Sequence, residues 1–196
     1  MSGSARSRLG TLALVMALGA GVANFAAPIA QAAQEAPIAR EKNPPGDIPD
    51  DQAFVTYKAP QGYSLQVPEG WARTDGKDGA SFADKYGRVD VILKPATAQP
   101  TVVSVRAGEA AELEKTGRAV KVSGITEVKL ASGPAVKIVY TANSEPNAVT
   151  NKQIRLESER FLMVHGDKLA LVTFSAPDGA DNADQWVLMS NSFAWQ

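Results

Sequence analysis

The fold is decided by the stretch Arg160-Phe-Leu-Met-Val-His-Gly-Asp-Lys-Leu-Ala-Leu-Val-Thr-Phe-Ser-Ala-Pro177. Two runs rich in β-forming residues flank Gly166-Asp167, and glycine at the first position of a two-residue loop favours a type II′ hairpin. This turn fixes a register with three apolar pairs: Val164 with Leu169, Leu162 with Leu171, and Phe161 with Val172. Because both faces near the turn are apolar, we expect two central strands that are covered on both sides.

A short amphipathic helix follows the hairpin. Trp186, Met189 and Phe193 recur at spacings of three and four, so they share one helix face. Asp181 is the predicted N-cap, with Asp184 at the third helical position as a weak capping box. A helix directly after a central hairpin must bury its apolar face on the sheet, so we interpret these aromatic side chains as core.

Strands and turns alternate along the rest of the chain. Period-two alternation predicts strands at 54–58 and 63–67. Runs of β-forming residues on either side of turns predict further strands at 80–84, 88–94, 120–130, 135–141 and 152–164. A run with prominent Ala and Glu predicts a helix at 104–115, which Gly117 ends. Residues 143–151 form a polar loop. The order strands, helix, strands, helix indicates an α+β fold with a mostly antiparallel sheet.

The N-terminal region predicts export. Arg6 and Arg8 form a positive segment, and residues 12–23 are an apolar stretch of the length found in signal peptides. Ala30-Gln31-Ala32 is a small-x-small cleavage pattern, so we predict a signal peptide at 1–32 and a secreted or periplasmic, extracytoplasmic protein. An uncleaved membrane anchor is the alternative, because apolar residues continue to Ile29.

The composition excludes several classes of protein. The chain has 196 residues and no cysteine, which excludes disulfides, zinc–thiolate sites and a lipid-anchored N-terminal cysteine. Removal of residues 1–32 takes away two arginines and no acid, so the formal charge changes from −1 to −3. We expect no nucleic-acid binding, since that requires a basic surface.

Residues 33–53 are predicted to be a Pro-rich disordered linker, and residues 54–196 to be a single folded domain. The linker has little to bury and contains four prolines: Pro37, Pro44, Pro45 and Pro49. A partner-binding tail that orders on contact is the alternative. We interpret the acidic residues Asp47, Asp50 and Asp51 as a solvated run, because they lack the spacing of an EF-hand.

Two groups of motifs follow one another along residues 54–196. The first is Gly62-Tyr-Ser-Leu-Gln-Val-Pro-Glu-Gly-Trp71, followed by Ser81-Phe-Ala-Asp84 and Val89-Asp-Val-Ile92. The second is the Gly166 hairpin, which ends in Ser175-Ala-Pro177 and is followed by Trp186 and Ser192-Phe193. The ordered set resembles the PsbP-like family.

This resemblance implies the Mog1/PsbP-like α/β/α sandwich, an antiparallel sheet with helices on both faces. The family includes the extrinsic thylakoid-lumen protein of photosystem II and exported bacterial proteins, and it consists largely of accessory and assembly factors. The sequence matches no lipobox, metal-binding or photosystem-docking motif, so a lipoprotein or photosynthetic role is not implied.

The sequence offers no catalytic set. His165 is the only histidine, and a Ser-His-Asp site would need a carboxylate and a nucleophile beside it. Asp167 is close only in sequence. A lone histidine without cysteine also lacks the ligands for a zinc or iron site. We therefore predict that the protein is not an enzyme and has no catalytic residue, cofactor or metal ligand.

The remaining polar and aromatic candidates have simpler explanations. Glu157 and Glu159 share a strand face with Arg155, which indicates a solvated, charge-balanced surface. Asp75 and Asp78 lie beside glycines and are interpreted as loop residues. The two ambiguous aromatic residues either plug the sheet or line a cleft, and we favour packing for both: Trp71 and Trp195.

Two functions remain. The first is an exported, non-catalytic accessory or assembly protein that acts on an unidentified protein partner in the cell envelope. The second is a soluble extracytoplasmic carrier of a small apolar ligand, which requires a closed apolar pocket.

Overall fold

The computed structural model describes residues 35–96 and 98–196. The predicted signal peptide, residues 1–32, lies outside these residues. Within the described part of the chain, no helix is both long enough and apolar enough to cross a membrane.

Residues 35–96 and 98–196 form ten strands and two helices. The strands are β1 (Phe54–Ala59), β2 (Tyr63–Pro68), β3 (Ala72–Gly76), β4 (Gly79–Ala83), β5 (Arg88–Pro95), β6 (Lys121–Leu130), β7 (Gly133–Asn143), β8 (Arg155–His165), β9 (Lys168–Pro177) and β10 (Ala194–Trp195). Helix α1 comprises the consecutive segments Val102–Val105, Arg106–Ala110 and Ala111–Thr116, and α2 is Ala183–Ser192. The fold class is α+β, as predicted.

A seven-stranded antiparallel sheet, in the order β3-β4-β5-β9-β8-β7-β6, is the main layer. The β8–β9 hairpin lies inside it, and its register pairs the predicted residues: Val164 with Leu169, Leu162 with Leu171, and Phe161 with Val172. Gly166 has a φ of +59° and Asp167 keeps a negative φ, as a type II′ turn requires. The prediction for the hairpin is confirmed.

The sheet buries an apolar core on each face. On one face, Phe161, Met163 and Phe174 pack with Trp186, Met189 and Phe193 of the α2 region. On the other, Leu162 and Leu171 pack with a set that includes Val105 and Ala110 of α1. The period-two alternation of β8 and β9 divides these residues between the two faces. Helices therefore cover both faces, as in the predicted α/β/α sandwich.

Helix α1 confirms the predicted helix at 104–115 and begins two residues earlier. Thr101 and Ser104 form a reciprocal capping box at its start, and Gly117 follows its end in an extended conformation. The middle segment, Arg106–Ala110, is a π-helical turn. Glu109 lies in this turn and binds Arg160 and Lys94 of the sheet, which ties the helix to β8 and β5.

A second sheet of three strands, in the order β1-β2-β10, packs against the core on the α2 side. The sequence predicted the first two strands but not a separate sheet, because local patterns do not tell which strands pair. Strand β3 was also missed, because all five of its residues are exposed and polar or small. Asp75 therefore lies in a strand instead of the predicted loop.

Residues 35–53, which we call the N-terminal strap, differ from the expected disordered linker. The strap has no regular secondary structure, but Ile48 is buried in the core and Glu35 binds Arg118. Its backbone is hydrogen-bonded to two buried asparagine side chains of the domain, Asn143 and Asn182. The composition did not reveal these contacts, because their partners are supplied by distant parts of the chain.

The start of α2 also differs from the prediction. The N-cap is Asn182 and not Asp181, and neither residue caps the helix through its side chain. The Asn182 side chain instead accepts from the backbone N–H of Ile48 at 2.6 Å and donates to the carbonyl of Gly46 at 3.0 Å. The residue that would cap the helix is therefore used to hold the strap.

Candidate functional site

A cleft of about 590 Å³ lies where the strap, the sheet and the start of α2 meet. We call it the Glu157 cleft. The strap contributes Arg40, and the sheet contributes Lys137, Glu157 and Glu159. The start of α2 and the residues before it contribute Gly179–Ala183, Trp186 and Val187. Charged side chains of both signs and an apolar wall therefore line the same space.

The two carboxylates on β8 have different partners. The Nζ of Lys137 lies 2.7 Å from Glu159, so that charge is balanced within the sheet. Glu157 makes no ion pair within residues 35–96 and 98–196. Burial raises the pKa of Glu157 above its usual range, while the backbone N–H of Gly179 and the charge of Arg40 act in the opposite direction. The cleft thus contains one partly desolvated, unpaired carboxylate.

Arg40 reaches the cleft from the strap. Its guanidinium lies against the backbone of Gly179, so closely that a β-carbon at that position would overlap it. Its Nε is 3.9 Å from Asp178, a long and exposed ion pair. Gly179 has a φ of +100° and leaves the space that the guanidinium occupies.

Arg155 does not balance Glu157, so this part of the sequence interpretation is wrong. Arg155 is buried and makes no ion pair within the described residues. Its guanidinium donates to Ala119, Asn143 and Thr141. Burial lowers the pKa of Arg155, and the charge of Asp178 opposes this change.

His165 lies at the exposed end of β8, where its ring stacks on Trp195 with the ring centres 5.7 Å apart. Within the described residues, no hydrogen bond or ion pair joins it to Asp167 or to a serine or threonine hydroxyl. The same part of the chain contains no group of three or more His, Asp or Glu residues placed to hold a metal ion.

The two ambiguous tryptophans pack against the core. Trp71 is partly buried, and its ring lies over Gly87, where an added β-carbon would be 2.5 Å from Cη2. Trp195 belongs to β10, which pairs with β2, and its ring meets Phe193 edge-on with 5.1 Å between the ring centres. Asp75 accepts from the Tyr57 hydroxyl at 3.1 Å and pairs with Arg73 on the exposed side of β3.

Sequence reasoning found Glu157, Glu159 and Trp186 but not the site that they form. The residues that it did not find are Arg40, which lies in the predicted linker, and Lys137, which lies on β7 beside β8. No local pattern connects these positions. Only the pairing of β7 with β8 and the docking of the strap bring them together.

No protein-family model matches the sequence, and no curated protein matches it. Several solved structures are similar to this chain, including the following three. A protein from Bacteroides thetaiotaomicron is 13% identical with a TM-score of 0.49, and the match covers 72% of this chain and 48% of that chain. A cyanobacterial PsbP from Synechocystis is 15% identical with a TM-score of 0.46, covering 77% and 98%. LpqN of Mycobacterium tuberculosis, involved in cell envelope biogenesis, is 15% identical with a TM-score of 0.46, covering 74% and 90%.

This chain therefore spans about half the length of the Bacteroides protein.

Proposed function

We propose that the protein is an exported, non-catalytic accessory protein that acts by contacting a protein partner in the cell envelope. The N-terminal sequence supports export through its positive segment, apolar stretch and Ala-Gln-Ala pattern. The lone His165 supports the absence of catalysis, because its ring is stacked on Trp195 and makes no hydrogen bond to a serine or threonine hydroxyl of the described residues.

The observation that carries the proposal is the exposed surface of α2 beside the Glu157 cleft. Val187 is 59% exposed and Leu188 is 42% exposed, while Trp186 on the same helix is buried. Exposed aliphatic side chains next to charged groups match the composition of protein interfaces, in which an apolar centre is surrounded by a polar rim. We place the partner on this surface.

The structure gives less support to a carrier of an apolar ligand. That function needs a closed apolar pocket, whereas the Glu157 cleft contains several charged side chains. A larger cleft of about 690 Å³ near the β4–β5 turn is also lined by charged residues, among them Asp84, Arg88 and Lys152.

Site-specific photocrosslinking in the source organism tests the proposal. A photoreactive amino acid at Val187 is expected to capture one protein in the extracytoplasmic fraction, and the purified pair is expected to bind in solution. Val103 is the matched control, because it is 79% exposed and lies on α1, at the opposite face of the sheet. Val187→Asp is expected to abolish binding of the purified pair, and Val103→Asp to leave it unchanged.

Equal capture at both positions, or no capture at either, would contradict the proposal. Export is tested separately by sequencing the N-terminus of the protein from the extracytoplasmic fraction, which is expected to begin at Ala33. Recovery in the cytoplasm alone would contradict export.

A further inference from the structure

We propose that the Glu157 cleft binds one arginine or lysine side chain of the partner protein. This inference rests on the proposed function and identifies the chemistry by which the partner is recognised. It follows from the charges of the cleft, from the position of Arg40 and from the apolar wall.

The charges of the cleft leave a place for a cation. Lys137 is paired with Glu159 at 2.7 Å, so neither of these groups is available. Within the part of the chain that the structure describes, Glu157 and Asp181 make no ion pair, and the other cation lining the cleft is Arg40, which already lies beside Asp178. A cation is attracted more strongly to a partly buried carboxylate than to an exposed carboxylate, because the effective dielectric constant around the buried group is lower.

Arg40 shows that the surroundings of the cleft accommodate a guanidinium. Its guanidinium lies against Gly179, where the absence of a side chain provides the space. Arg40 is held mainly by the hydrogen bonds of the strap to Asn143 and Asn182, and its own ion pair is long at 3.9 Å. A partner side chain would meet similar surroundings and also the unpaired Glu157.

The apolar wall suits the aliphatic part of such a side chain. Trp186 and Val187 line the cleft, and Val187 is largely exposed. The methylene groups of arginine and lysine pack against apolar surface while the charged end remains with polar groups. A short carboxylate-bearing or neutral side chain would gain neither contact, so the cleft selects long cationic residues.

A titration with small peptides tests the inference without knowledge of the partner. The probe is the tripeptide acetyl-Ala-Arg-Ala-amide, and its control contains citrulline, the uncharged analogue of arginine. With the ¹⁵N-labelled mature protein, we expect the arginine peptide to shift the amide signals of Ala180 and Val187 and the indole N–H of Trp186. Citrulline is expected to bind about tenfold more weakly, the usual loss for a charge-assisted contact.

Two substitutions with opposite effects make the test specific. Glu157→Gln is expected to weaken arginine binding about tenfold. Arg40→Ala removes the cation already near the cleft and is expected to tighten binding about two- to fivefold. Asp184→Asn on α2 and Lys42→Ala on the strap are the controls, because these exposed residues lie on two elements that border the cleft but outside its lining, and they are expected to change nothing.

The inference is overturned if arginine and citrulline bind equally, if the shifts map to another surface, or if Glu157→Gln leaves the affinity unchanged. Both substitutions keep the backbone hydrogen bonds of β8 and of the strap, and an unchanged amide signal for Ile48 confirms that the strap is docked. Failure of this titration leaves the Val187 photocrosslinking result standing, so the two proposals fail separately.

Discussion

The guanidinium of Arg155 donates to the side-chain oxygen of Asn143 at 2.9 Å, inside the domain. The same oxygen accepts from the backbone N–H of Ile38, and the Asn143 side-chain nitrogen donates to the carbonyl of Ala36. A buried arginine therefore positions the amide that holds the beginning of the strap. Its positive charge is satisfied by neutral oxygens and not by a carboxylate within the described residues.

Arg155→Lys is expected to destabilise the protein by about 2 kcal/mol, because an ammonium group cannot reproduce the planar set of donors that contacts three oxygens. Denaturant unfolding measures this loss, and hydrogen exchange at Ile38 is expected to become faster. Arg73→Lys, on the exposed strand β3, is the control and is expected to change stability by less than about 0.5 kcal/mol. Equal effects of the two substitutions would contradict the role of Arg155.

Asn182→Ala removes both hydrogen bonds that hold Gly46 and Ile48. We expect a loss of about 2–3 kcal/mol, because the buried N–H of Ile48 is left without its acceptor. Limited proteolysis is expected to cleave the strap while the rest of the domain stays intact. Gln185→Ala on the same helix removes only an exposed 3.4 Å contact with Asp50 and is expected to leave the strap protected.

Glu157→Gln is expected to raise the melting temperature at pH 7 by about 1–2 °C. The pKa of Glu157 is raised in the folded protein by burial, so the folded state binds this proton more tightly than the unfolded state. Stability from this group is therefore present at low pH and is lost as the pH rises through the folded pKa. Arg40, Asp178 and Glu159 face the same carboxyl group and contribute to its titration.

The difference in melting temperature between wild type and Glu157→Gln is accordingly expected to shrink at about pH 3.5. At that pH the Glu157 side chain is mostly protonated in both the folded and the unfolded state. Calorimetry at the two pH values measures it. A stabilisation that is the same at both values would contradict the electrostatic explanation. Glu127→Gln, on an exposed position of β6, is the control.

Gly87→Ala is expected to cost about 1–3 kcal/mol, because the new methyl group would lie 2.5 Å from Cη2 of Trp71. The same substitution in a Trp71→Leu background is expected to cost much less, since the smaller side chain leaves room. Gly124→Ala is the control, because nothing lies within 4 Å of its added β-carbon. Chemical denaturation of the wild type, Gly87→Ala, Trp71→Leu and the double variant gives the coupling free energy between Gly87 and Trp71.

Residues close in sequence made part of the fold predictable. The β8–β9 register followed from a two-residue turn and three apolar pairs, and the buried face of α2 followed from the spacing of Trp186 and Met189. The strap could not be predicted in the same way. The hydrogen bonds of Asn182 to the strap join residues that are 134 and 136 positions apart in the sequence. Nothing in the local sequence distinguishes an asparagine with such distant partners from another polar residue before a helix.

The candidate site was predictable only as separate residues. Period two placed Glu157 and Glu159 on one side of a strand, but the nearby Arg155 turned inward to neutral oxygens. Burial of an arginine without a carboxylate partner costs free energy, which several hydrogen bonds to neutral acceptors must offset. The order of charged residues in the sequence does not show where those acceptors lie.

Docking of the strap also determines how the domain is presented. A fully flexible chain of this length would have a separation of roughly 25 Å between its ends, and this separation would vary with time. With Glu35 bound to Arg118 and Ile48 in the core, that distance and its direction are fixed. The point at which the chain enters the domain at Glu35 is therefore fixed relative to the side of the molecule that carries Val187.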